Sequence, residues 1–148
     1  MFKKILVALD GSEHADKALD VALDLAKKYT SEIVLVSVFH PVFISLGMES
    51  SFGQAKLIET YLEDLKTCHE NVLSEALQKV NRITPNLKVS TKLEEGRPAD
   101  KIIETAKEGN FNLIVMGSRG LGGVKQLFLG SVSDRAADEA PCPVLIVR

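Results

Sequence analysis

Ile5-Leu6-Val7-Ala8-Leu9 is an unbroken apolar run that stops at Asp10. A run without a polar face fits a strand covered on both sides in a parallel sheet. Similar runs occupy residues 33–39, 113–116 and 144–147, whereas Leu-Lys-Val-Ser-Thr-Lys-Leu at 87–93 is more polar and suits an edge strand. Between these runs the apolar spacing changes to three and four. Ala15, Ala18, Leu19, Ala22, Leu23 and Ala26 mark a helix over about residues 12–29, with Ser12 or Asp10 available as its cap. Ile58, Leu62, Leu65, Val72, Leu73, Ala76, Leu77 and Val80 place a longer helix over about 54–82. Pro98, Ala99, Ile102, Ile103 and Ala106 predict a third, with proline in its first turn and Gly109 at its end. Residues 131–140 form the fourth.

Strand and helix alternate throughout, which implies βαβ units. Right-handed crossovers then produce a parallel sheet with helices on both faces. The expected fold class is α/β, a doubly wound, open five-stranded sheet in one domain over residues 1–148. The longest irregular stretch, about residues 40–53, is rich in apolar residues and is a candidate for self-packing, a ligand lid or a partner surface.

Charge narrows the list of partners. With 18 Lys+Arg against 20 Asp+Glu, the net charge of -2 offers no general attraction to nucleic acid or anionic lipid. An anion site must therefore be local. The N-terminal apolar run is too short to export the chain or to span a membrane, so a cytoplasmic location is expected. Cys68 and Cys142 form neither a metal-ligand spacing nor a disulfide framework. They read as buried or bystander thiols.

In open α/β sheets ligands bind beyond the carboxyl ends of the strands, where strand order reverses. Two such ends carry unusual residues, Asp10-Gly11-Ser12 and Met116-Gly117-Ser118-Arg119-Gly120-Leu121-Gly122-Gly123. From Gly117 the spacing is two residues, Gly120, nine residues, Gly130, and then Ser131 opening the last helix. Glycine lets backbone approach a phosphate closely, or turn with positive φ, and successive free amides make an anion nest. Ser131 and Ser133 stand where a helix N-terminus adds unpaired amides and the positive end of a dipole. Neither a P-loop nor a dinucleotide fingerprint is present.

The opening Lys-Ile-Leu-Val-Ala-Leu-Asp-Gly-Ser, Val-Met-Gly-Ser-Arg-Gly at 115–120, Leu-Gly-Ser-Val-Ser at 129–133 and the closing Cys-Pro-Val-Leu-Ile-Val-Arg resemble the ATP-binding branch of the universal stress protein family. The resemblance spans essentially the whole chain. It implies a Rossmann-like, adenine nucleotide alpha hydrolase-like sheet in the order 3-2-1-4-5. It also implies that Gly117, Gly120, Gly130, Ser131 and Ser133 contact phosphate and ribose, that Asp10 faces the ribose or a phosphate-bound Mg²⁺ or Mn²⁺, and that Val38 meets adenine through its backbone. Met116, Arg119 and Val132 complete the candidate ATP-binding set. A homodimer through residues 143–148 is implied as well.

Each residue also has a plainer reading. Asp10-x-x-Glu13 fits a capping-box-like pattern, Val38 fits core packing, and Arg119 and Lys125 fit solvated loop charges as well as phosphate partners. His14, His40 and His69 show no spacing for metal or nucleophilic catalysis and read as surface or helix-face residues. With no catalytic set beside the glycine loop, the expected role is regulatory or sensory ATP binding with at most slow ATPase activity. The alternatives are an enzyme directed at the α-phosphate and an oligomeric interaction module in which ATP is incidental.

Overall fold

A computed structural model of the protein describes residues 1–42, 52–120 and 129–148. The elements alternate as β1 (Lys4–Ala8), α1 (Glu13–Tyr29), β2 (Glu32–Phe39), α2 (Phe52–Ile83), β3 (Val89–Glu95), α3 (Pro98–Glu108), β4 (Leu113–Gly117), α4 (Ser131–Glu139) and β5 (Val144–Val147). Every strand pair is parallel, as the alternation of elements predicts, and the order is β3-β2-β1-β4-β5, as the family resemblance implies.

The uniform hydrophobicity of the inner strands follows from burial on two sides. Ile5, Val7, Ile33, Leu35, Leu113 and Val115 share one core with Leu19 and Leu23 of α1 and Leu73 and Val80 of α2. The alternate residues, Leu6, Ala8, Val34, Val36, Val38, Ile114 and Met116, pack with Ile102 and Ala106 of α3 and Ala136 of α4. The two edges differ. On β3, Ser90, Thr91 and Glu95 are exposed and Lys92 pairs with Glu94 at 2.7 Å, a polarity that discourages further strand pairing. β5 carries Val-Leu-Ile-Val with Leu145 exposed.

Several local expectations shift. The β3 strand starts at Val89 rather than Leu87, because the Leu87 amide donates to the Thr84 carbonyl in the turn that follows α2. Ser12 alone caps α1, its Oγ accepting the Ala15 amide at 3.2 Å. Asp10 takes no part in a capping box; its Oδ1 accepts the Ser12 amide at 2.9 Å, an Asx turn that brakes the chain before the helix begins. The early part of the α2 stripe is not core, since Ile58 is exposed and Leu62 and Leu65 are only half-buried. Of the irregular stretch at 40–53, residues 43–51 lie outside the described residues.

Register positions the ends that matter. The last paired residue of β1, Ala8, lies opposite Val36, while β2 runs on beside β3 through Ser37 and Val38 to Phe39. Strand order reverses between β1 and β4, so a recess opens there at the carboxyl ends of the sheet.

Candidate functional site

That recess is a cleft of about 570 Å³ on the α3/α4 side of the sheet. All ten residues singled out as nucleotide contacts line it: Asp10, Val38, Met116, Gly117, Arg119, Gly120, Gly130, Ser131, Val132 and Ser133. Lys125 lies outside the described residues. Ala8, Val36, Pro98 and Ile102 form an apolar wall that the motif does not contain; these residues were legible only as strand and helix positions. The cleft thus has an apolar end and an end where Asp10, Arg119 and the start of α4 converge.

The start of α4 is built to leave amides free. Its N-cap is Gly130, which has no side chain to satisfy the first N–H groups, and the Asp134 amide is the first to donate within the turn. The Ser131 hydroxyl is exposed and without a partner among the described residues. Ser133 differs from Ser131: its side chain is buried, and its single proton is shared between the Ser118 carbonyl at 3.1 Å and the Gly130 carbonyl at 3.0 Å. Its backbone amide, not its hydroxyl, is what it can offer an anion.

Ser118 fastens both ends of the glycine loop. Its amide donates to the Val147 carbonyl of β5 and its carbonyl accepts the Gly130 amide, each at 2.7 Å. Its Oγ meets His14 Nδ1 at 3.0 Å. The need for glycine is steric rather than conformational here. Positive φ among the described glycines occurs at Gly11 and Gly96, outside the loop. At Gly117 a Cβ would fall 2.8 Å from the backbone carbon of His14, so bare backbone is required for β4 to approach the first turn of α1. At Gly120 it would fall 2.8 Å from Asp10 Oδ2.

Two histidines acquire partners that sequence spacing did not reveal. His14 meets Ser118, and His69 of α2 places Nδ1 2.7 Å from Ser37 Oγ. Burial lowers the pKa of His69 from its ordinary value, against the opposing pull of the Asp10 charge. Neither serine is a nucleophile facing the cleft, because both hydroxyl-bearing residues are buried and neither lines it. Contacts between residues so distant in sequence leave no periodic signal. His40 is exposed. Cys68 is exposed rather than buried, and Cys142 is half-buried, its thiol pKa pushed up chiefly by burial. Among the described residues no three His, Cys, Asp or Glu side chains assemble a metal site, and no helix is long and apolar enough to cross a membrane.

Comparison with known proteins adds a second line of support. The Universal stress protein family matches over residues 1–148. A Thermus aquaticus relative, the universal stress protein in the QAH/OAS sulfhydrylase 3' region, is 42% identical with both chains fully covered. Among solved structures, the universal stress protein UspA from Lactobacillus plantarum superposes with a TM-score of 0.80 at 20% identity, covering 99% of this chain and 98% of that one. Two others carry ligands: a universal stress protein in complex with cAMP (TM-score 0.72, 22% identity, 99% and 97% covered) and an Arabidopsis thaliana family member with AMP bound (TM-score 0.69, 20% identity, 98% and 90% covered). At those identities the likeness is one of fold.

Proposed function

The chain belongs to the universal stress protein family, and from that premise we propose that its cleft binds an adenine nucleotide, ATP first among them, as a regulatory rather than catalytic ligand. The observation that carries this reading is the convergence of a polar end and an apolar end in one recess at the strand-order reversal. Relatives of the same fold hold cAMP and AMP.

The phosphates would lie against the uncapped amides of α4 and the Gly117–Gly120 backbone, with the Ser131 hydroxyl in reach. A helix dipole contributes only about 0.3–1 kcal/mol at an exposed site. Several hydrogen bonds, and the Arg119 guanidinium, therefore supply most of the affinity. Asp10 is the one carboxylate lining the described cleft. It suits a ribose hydroxyl, or a Mg²⁺ or Mn²⁺ ion held mainly by phosphate and water. A bound ion would neutralise phosphate charge.

The base would occupy the apolar end and be read by Val38. Hydrogen bonds alternate along β2. The Glu32 amide bonds to Lys3 and the Val36 carbonyl to Leu9 on the β1 side, while the Ile33 amide and Phe39 carbonyl bond on the β3 side. Val38 continues the first set, so its N–H and C=O point past the end of β1 into the recess. One donor beside one acceptor matches the edge of adenine.

The β5 edge supports a homodimer. Of the two sheet edges it is the apolar one, and a second copy would cover Leu145.

Nucleotide released by denaturing the purified protein, identified by anion-exchange chromatography, tests the ligand assignment. Adenine nucleotide is expected; an empty site that also gives no heat on titration with ATP overturns it.

A further inference from the structure

In a regular parallel ladder the rung after Ala8 and Val36 would have the Leu9 amide donate to Val36 and the Val38 amide donate to Leu9. The first half forms, at 2.8 Å, and the second does not. The Leu9 carbonyl instead accepts the Ser37 hydroxyl at 2.7 Å. Ser37 is buried on the opposite face of β2 from Val36 and Val38, toward α2. With its single proton on Leu9, the Ser37 oxygen can only accept from His69, which assigns the imidazole proton to Nδ1. His69 is itself held against Phe39, their ring centroids 6.2 Å apart.

We propose that Ser37, held by His69, is a positioning residue for base recognition: by occupying the Leu9 carbonyl, it stops β1 and β2 from zipping one rung further and leaves the Val38 amide free to read the base. Without the hydroxyl, the Leu9 carbonyl is left unsatisfied, and the donor that a regular ladder brings to it is the Val38 amide. Closing that rung spends the donor that the base needs. The inference rests on the adenine-nucleotide reading of the cleft.

The test is calorimetric titration of wild-type protein and Ser37→Ala with ATP, GTP and inorganic tripolyphosphate. Tripolyphosphate reports the phosphate end alone, so its affinity should be unchanged in the variant. ATP should weaken roughly tenfold, the effect of losing one or two net hydrogen bonds, and the preference for ATP over GTP should shrink with it. A purely structural role for Ser37 would weaken all three ligands alike or none, and either result overturns the proposal. An unchanged ratio of ATP to tripolyphosphate affinity does so as well. Should Ser37→Ala fail to fold, Ser37→Cys keeps the shape with a much weaker donor and is held to the same ratio. Wild-type protein that does not favour ATP over tripolyphosphate would overturn base binding itself, and this inference with it, a result distinct from a failure confined to the variant.

Discussion

Asp10 and Gly120 meet across the mouth of the cleft, with an Asp10 carboxylate oxygen 2.8 Å from the point that a Gly120 Cβ would occupy. The obstacle is the end of a side chain, which can swing away. Gly120→Val should therefore fold, but it displaces Asp10 and puts bulk where the loop backbone faces the ligand. ATP affinity should fall by roughly tenfold or more, an amount that removal of one or two hydrogen bonds would give. Unchanged affinity in a folded Gly120→Val variant would move the ligand elsewhere.

Gly117 faces a different neighbour and predicts a different outcome. Its added Cβ would meet the His14 backbone carbon and Cβ at 2.8 Å and the Ala15 amide nitrogen at 3.0 Å, none of which can rotate aside. Gly117→Ala should cost about 1–3 kcal/mol, the usual range for overpacking. Urea unfolding measures it, and a loss within experimental error would mean that α1 and β4 are not packed this tightly.

His69 gives the stability a pH dependence of defined sign. Its folded pKa is lowered by burial, against the attraction of Asp10. The unfolded chain therefore takes up a proton near pH 6.5, while the native state still resists it. Stability on this account is full above about pH 6.5 and declines as pH falls toward the lowered native pKa. His69→Leu removes this contribution, so the difference in melting temperature between wild type and variant should change across that window. Parallel melting curves from pH 7.5 to pH 5 would contradict the assignment.

Leu145 tests the assembly. If β5 pairs with its counterpart in a second copy, Leu145→Lys places two like charges in an apolar seam and should shift sedimentation from dimer to monomer. A wild-type monomer, or a variant dimer of unchanged strength, would rule out that edge as the interface.

The parts of this molecule that were legible in sequence are those fixed by periodicity and by spacing within one segment. The runs at residues 5–9, 33–39 and 113–116 have no polar face because helices cover both sides, so strand type and sheet type could be read from them, whereas the strand order came from the family resemblance. The glycine spacing likewise singled out residues that line one end of the cleft. What escaped were relationships across segments. Ser37 and His69, or His14 and Ser118, become partners only once the sheet brings their elements together. A further use of glycine also escaped, the close approach of bare backbone to α1 at Gly117, where φ is not positive. Asp10-x-x-Glu13 looked like a cap, but Ser12 is nearer the helix and takes the role, which leaves one Asp10 oxygen facing the loop.

The central claim is a location: adenine nucleotide in the cleft between the carboxyl ends of β1 and β4. Two-dimensional amide NMR during titration with ATP tests it most directly. The account predicts that the largest shift changes fall on Val38, on Gly117 to Gly120 and on Gly130 to Ser133, all saturating with one binding constant. Changes clustered on another face, or none at saturating ATP, would contradict it.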